Sequence, residues 1–183
     1  MRNVLIIIFS LSTCFGLAGR NLDSLEKTMR NMKHDSLRIN TYNEFRNNLS
    51  NNEMELAFEV NNKILELAEK NLKKSGLSKS EKLFFKDSKG NSLMRIGLYR
   101  LNTSDYPGAI ANFKKSLSVH KELFDKIEIA KCYSNIGVAH IYMGNYPDAL
   151  QSTLKALKIR EEIGDTLNMA ASYNNVAYLY TVL

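Results

Sequence analysis

The sequence predicts an all-α protein built as a solenoid of antiparallel helix pairs, and three observations carry that prediction. Glycine and proline are scarce, 9 and 2 among 183 residues, which suits long helices and argues against a turn-rich sandwich or barrel. An apolar fraction of 44% with 24% charged residues fits a packed fold rather than a disordered chain. The chain also repeats itself: the two prolines, Pro107 and Pro147, lie forty residues apart, and the same shift superposes much more. Ile96-Gly97 falls on Ile136-Gly137, Tyr106 on Tyr146, Ala109 on Ala149, Leu117 on Leu157 and Asp125 on Asp165. Further on, Ala130 falls on Ala170, Tyr133 on Tyr173 and Asn135 on Asn175. A period of this length marks units that cannot bury their own apolar faces and must stack.

The elements follow in chain order. Arg2 precedes the apolar run Val4–Phe9, which continues to Leu17 and is short for about 30 Å of hydrocarbon. Gly16-Leu17-Ala18 offers the small residues a leader peptidase needs, so residues 1–18 read as a signal peptide cleaved after Ala18, and the protein as exported to the periplasm or cell envelope. Two alternatives stay open: Leu11-Ser12-Thr13-Cys14 as a lipobox that makes Cys14 a lipidated N-terminus, and an uncleaved anchor. Export leaves Cys132 the sole cysteine of the mature chain, without an internal disulfide, and it reads as a small buried helix residue.

Residues 19–34 form a lead-in. Ser36–Leu49 and Glu53–Lys74 make a weaker helix pair, a degenerate first unit over 35–75 that caps the array. Ala57, Val60, Ile64, Leu67 and Ala68 keep helical spacing in its second helix, while Phe45 stands where later units have a small glycine. Residues 76–90 read as a basic insertion, because Ile64 to Gly97 spans 33 residues against 21 from Ser116 to Gly137. Units follow over 91–125 and 126–165. In the latter, Asp125 and Glu128 have capping-box spacing, so a helix runs from Lys126 to Met143 and ends at Gly144-Asn145. Pro147 opens the next helix, where its missing N–H costs nothing, and Gly164 stops it. Gly137, Ala139, Ala149 and Ala156 let these two helices approach closely.

A further helix, Leu167–Leu183, opens a unit over 166–183 whose second helix is not in the sequence, and Val176–Leu183 is nearly all apolar. Fully exposing one Val or Leu forgoes about 1.5–3 kcal/mol of burial. This end therefore reads as an array that continues past Leu183, the alternative being self-association through the open helix.

These residues resemble the tetratricopeptide repeat (TPR) family. The third unit supplies Tyr133, Ile136, Gly137, Gly144, Tyr146, Ala149 and Ala156, with His140 and Thr153 departing from the family's aromatic positions. The second supplies Leu93, Ile96, Gly97, Tyr106, Ala109 and Phe113, with Arg100 and Ser116 as departures. The forty-residue period is similar to the longer TPR variant, and the resemblance implies a right-handed superhelix. The lead-in through Asp35–Thr41 also resembles the exported TPR regions of bacterial envelope signalling proteins, in which a sensor histidine kinase or a helix-turn-helix regulator follows.

In the family, first helices line a concave groove that takes a protein or an extended peptide. Carried onto this chain, the groove residues are Met94, Arg95 and Leu98, then Lys131, Ser134, Asn135 and Val138, then Asn174, Asn175 and Tyr178. Lys131/Asn135 and Asn174/Tyr178 are four apart and share a helix face. Arg95, Asn135 and Asn175 recur every forty residues as a polar ladder, and an amide suits a peptide backbone because it both donates and accepts. The alternative for these side chains is a solvated or inter-helix role. Met94 and Leu98 stand where the Lys/Asn carboxylate clamp of chaperone-binding relatives would begin, so that specificity is not implied.

No phosphate-binding loop, nucleophile elbow or zinc-protease motif is present, so no enzyme is expected in these residues and no cofactor is implied. The three histidines, His34, His120 and His140, have no metal-ligand spacing. The net charge of +6 is local. Removing residues 1–18 leaves +5, and Lys70, Lys73, Lys74, Lys79, Lys82, Lys86 and Lys89, offset by Glu81 and Asp87, account for all of it. Nucleic acid drops out as a partner. A basic stretch carrying Phe84-Phe85 suits an anionic membrane or an acidic partner; the plainer reading is a solvated extension of the preceding helix and its loop.

Overall fold

The computed structural model describes residues 21–183; the leader, its cleavage point and Cys14 lie outside them. The described residues form eight α-helices and no strand. A short helix α1 (Leu22–Met29) precedes the pair α2 (Asp35–Asn47) and α3 (Met54–Leu72), which are joined through a single 3-10 turn at Asn51–Glu53. The pair α4 (Lys79–Asn102) and α5 (Tyr106–Leu123) comes next, then α6 (Lys126–Tyr142) and α7 (Tyr146–Ile163), and last α8 (Thr166–Val182). Each helix from α2 onward packs on its successor, and α2 touches α4 as α4 touches α6. First helices of successive pairs therefore share one face of an α-solenoid. No described helix is long and apolar enough to cross a membrane.

Local chemistry sets the helix ends. Asp105, Asp125 and Asp165 each accept a backbone N–H three residues on, from Gly108, Glu128 and Asn168, and so satisfy an orphan donor of the first turn. The Glu128 carboxylate takes Lys131 at 2.6 Å beside this Asp125 cap. Pro107 and Pro147 sit in the first turns of α5 and α7. The period reaches the backbone: in units two and three the left-handed positions are Ser104 and Gly144 after the first helices, and Phe124 and Gly164 after the second. Unit two thus places a serine and a phenylalanine where unit three has glycines.

The two helices of a unit touch at glycine. A Cβ on Gly97 would lie 2.5 Å from Cε1 of Phe113, whose ring is fully buried. Forty residues on, a Cβ on Gly137 would lie 2.6 Å from Oγ1 of Thr153. The departure at Thr153 is thus a smaller side chain against the same kind of close approach. Phe113, Leu117, Met94, Ile136 and Cys132 form one buried cluster joining units two and three. Cys132 is fully buried, and burial pushes its thiol up to about 11, which leaves it inert rather than reactive.

The N-terminal half has its own core. Leu25 and Met29 of α1 lie buried with Ile39, Tyr42, Phe45, Val60, Ile64, Ala68 and Phe85. The lead-in is therefore a helix that closes the first pair, and Phe45 fills space that glycine leaves open later.

Residues 76–90 correct the reading of a solvated insertion. From Lys79 onward they are the beginning of α4, started by a reciprocal capping box between Ser78 and Glu81. The helix begins seven residues before the register of α6 would place it, about two turns. Phe85 on this extension is buried in the first core, with Phe84 edge-on to it.

Gly97→Ala should lower stability although alanine favours a helix by about 1 kcal/mol, because overpacking a buried ring typically costs about 1–3 kcal/mol. Ser104→Gly should act oppositely and add about 1 kcal/mol by relieving a left-handed residue. Thermal or urea unfolding measures both, and a Gly97→Ala protein as stable as the parent would refute the close-approach account.

Candidate functional site

The face made by first helices carries two clefts that meet at Arg95 and Leu98. One, of about 370 Å³, lies between α4 and α6 and is lined by Asn91, Met94, Arg95, Leu98, Glu128, Lys131, Ser134, Asn135 and Arg160. Six residues anticipated for the groove, Met94, Arg95, Leu98, Lys131, Ser134 and Asn135, are thereby brought together. Helical spacing explains it: 94, 95 and 98 lie on one stripe of α4, and 131, 134 and 135 on one stripe of α6. The other four do not line this cleft. Val138 and Asn175 are half-buried, while Asn174 and Tyr178 are exposed on α8. The polar ladder is thus two-membered here, Arg95 and Asn135.

Within the cleft the charges differ in availability. Lys131 Nζ is 2.6 Å from Glu128 Oε1, so its charge is met locally. Asn135 Nδ2 donates to Met94 Sδ at 3.2 Å, which bridges α6 to α4 and leaves the amide oxygen for other contacts. Arg95 is exposed and forms no ion pair among the described residues.

The second cleft, about 220 Å³, lies between the first pair and α4, with Arg46, Leu49, Ala57, Phe58, Asn61, Arg95, Leu98 and Tyr99 among its walls. Phe58 and Tyr99 stack with ring centroids 4.2 Å apart and form its apolar floor. Arg46 comes from α2 and is the residue that sequence reasoning missed. Its guanidinium donates to amide oxygens, Asn61 Oδ1 at 3.0 Å and Asn47 Oδ1 at 3.3 Å, and it meets no carboxylate among the described residues. Burial, and secondarily the positive charge of Arg95, lower it to about 10. Two guanidiniums thus share one cleft with no acid between them. Arg46 was hidden because the unit-one register is broken by the longer connection, so no shift of forty points to it.

A third cleft beside α1 contrasts with this one. Lys63 and Glu26 pair across it at 3.0 Å and Tyr42 Oη donates to Glu26, so a cation and an acid face each other there.

The basic stretch is dispersed in space. Lys70 lies on α3, Lys73 and Lys74 follow its end, and Lys79, Lys82, Lys86 and Lys89 lie on α4. Lys74 pairs with Asp35 at 3.5 Å, Lys86 with Glu122 at 2.6 Å and Lys89 with Glu69 at 3.0 Å. Three of the seven lysines are therefore paired with acids from other helices. With Phe85 buried and Phe84 half-buried, the stretch has no protruding aromatic pair to enter a lipid surface.

The tetratricopeptide repeat family model matches residues 89–162, from within α4 to the end of α7. Among solved structures, the apo form of RapI is similar at 15% identity and a TM-score of 0.70, over 85% of this chain and 40% of that one. Aspartyl phosphate phosphatase F from Bacillus subtilis is similar at 11% identity and a TM-score of 0.69, over 95% of this chain and 43% of that one. The chain thus spans less than half the length of the solved structures it matches, and at these identities the likeness is one of fold. No curated protein sequence matches the chain. The forty-residue helix pairs, the glycine contacts within them and the family match agree: residues 89–162 match the tetratricopeptide repeat family, and the fold of the described residues is a tetratricopeptide-type helical repeat.

Proposed function

We propose that the protein is a non-catalytic scaffold that binds a protein segment or extended peptide along the face of α2, α4 and α6, and that the segment carries carboxylates. The observation behind this is the Arg46–Arg95 pair, two guanidiniums in one cleft with amides but no acid as neighbours. Placing like charges together in a half-buried cleft is unfavourable unless an anion meets them, and a guanidinium fork suits a carboxylate better than any other side chain does. The Phe58–Tyr99 floor and Leu98 supply apolar contact beside the charges, and Asn135 supplies an amide for the peptide backbone.

The leader read in residues 1–18 supports a scaffold exported to the cell envelope. There it is either the interaction part of a larger signal-transduction protein, for which the lead-in resemblance speaks, or a self-standing adaptor. The dispersal of the basic lysines argues against direct membrane contact as the main role.

A fluorescently labelled Glu-rich octapeptide should bind and a Lys-rich one should not. Arg46→Gln with Arg95→Gln should weaken that binding by roughly 10–100-fold, since a hydrogen bond to a charged group contributes about 1.5–3 kcal/mol, and raised salt should weaken it too. Unchanged affinity in the double variant would contradict the proposal. For the location, mass spectrometry of the protein recovered from expressing cells should find Gly19 as the first residue; acylated Cys14 would instead make it a lipoprotein.

A further inference from the structure

The junction of α4, α5 and α6 holds a second unusual arrangement, independent of the arginine cleft. His120, near the end of α5, is fully buried, and neither Nδ1 nor Nε2 has a hydrogen-bond partner. Buried imidazoles normally satisfy both nitrogens, one as donor and one as acceptor. Gly90 makes room for this ring: a Cβ there would stand 2.6 Å from Nε2. Facing the ring are two carboxylates, Asp87 on α4 and Asp125 at the start of α6. One ring nitrogen and one oxygen from each carboxylate all lie within 4.8 Å of one another.

The two carboxylates are held with an oxygen to spare. Asp125 accepts the Glu128 N–H on Oδ1 at 3.1 Å, and Asp87 accepts Asn91 Nδ2 on Oδ2 at 2.9 Å. Such outer hydrogen bonds orient ligating side chains without consuming them. Lysines do not supply the missing positive charge, because Lys86 pairs with Glu122 and Lys126 with Glu162.

The repeat provides an internal comparison. Forty residues on, Asp165 stands for Asp125, and Arg160 stands for His120. The Arg160 guanidinium lies buried there, donating to the Asn168 carbonyl at 3.1 Å and to Ser172 Oγ, with its charge interacting with Asp165. The later junction therefore carries its own fixed cation. The earlier one has an imidazole in that place and adds a second carboxylate, Asp87, where the later one has Ile127.

We propose that Asp87, His120 and Asp125 bind one divalent transition-metal ion of the zinc class, which ties the extended start of α4 to the α5–α6 connection. An imidazole with two carboxylates suits Zn2+ and its neighbours, whereas Ca2+ and Mg2+ favour all-oxygen shells. Ligand atoms around a tetrahedral zinc stand roughly 3.4 Å apart, and exposed Asp87 has the freedom to close that distance. Sequence spacing gave no sign of this set, because its members come from three helices.

The test uses the full chain, stripped of metal with a chelator and titrated with Zn2+ alone by calorimetry. One ion should bind per chain and raise the melting temperature. Asp87→Asn, an exposed and structurally mild change, should weaken binding by at least about tenfold and abolish most of that rise. His120→Gln should do the same, and Asp87→Asn keeps the test intact if the buried substitution fails to fold. Three results would each overturn the proposal: no Zn2+ bound, binding in Asp87→Asn equal to the parent with the ion on His34 or His140, or Ca2+ and Mg2+ binding as tightly as Zn2+.

Discussion

The structure depends on how closely the two helices of a unit approach, and that distance is set where Gly97 meets Phe113 and Gly137 meets Thr153. With no Cβ in the way, a buried side chain from the second helix sits directly on the backbone of the first. Forty residues later the same close approach recurs. Everything on the shared face follows from this repetition. Residues 94, 95 and 98 line one cleft with 131, 134 and 135 because α4 and α6, first helices of successive units, lie against each other. Gly90 extends the idea to a third position, where the approach admits an imidazole rather than a phenyl ring.

Charge is distributed on this scaffold with a clear division. Several lysines find acids across helix boundaries: Lys74 with Asp35, Lys86 with Glu122, Lys89 with Glu69 and Lys126 with Glu162. Such exposed pairs add little stability individually, but they offset part of the basic stretch. The arginines behave differently. Arg46 and Arg95 stand together on the face of first helices with no acid to meet them, and there the chain is short of negative charge. Among the described residues, the cleft without an acid lies on the face built by first helices, which is the ground for the proposed binding face.

Much of the fold was legible from residue order because its signals are local. The cap at Asp125, proline in the first turn of α7 and the left-handed Gly164 mark helix ends within a few residues, and α6 and α7 fall where those signals put them. That residues 94, 95 and 98 share one face of α4 and 131, 134 and 135 one face of α6 was legible for the same reason, since helical spacing fixes a face. Residues 76–90 misled because a lysine-rich run looks like a solvated loop. The burial of Phe85 depends on a core shared with α1–α3, whose residues reach back to Leu25. Arg46 escaped because the longer connection before α4 breaks the forty-residue register. The Asp87, His120 and Asp125 set escaped because three-dimensional convergence leaves no spacing to read.

The account's central claim is that the face of α2, α4 and α6 is the one that takes a partner, and backbone hydrogen exchange read by mass spectrometry tests it most directly. Exchange is followed with and without a saturating Glu-rich peptide. Slowing should be confined to segments around Arg46, Met94–Leu98 and Lys131–Asn135. Slowing confined instead to α5 and α7, with those three segments unchanged, would contradict the account.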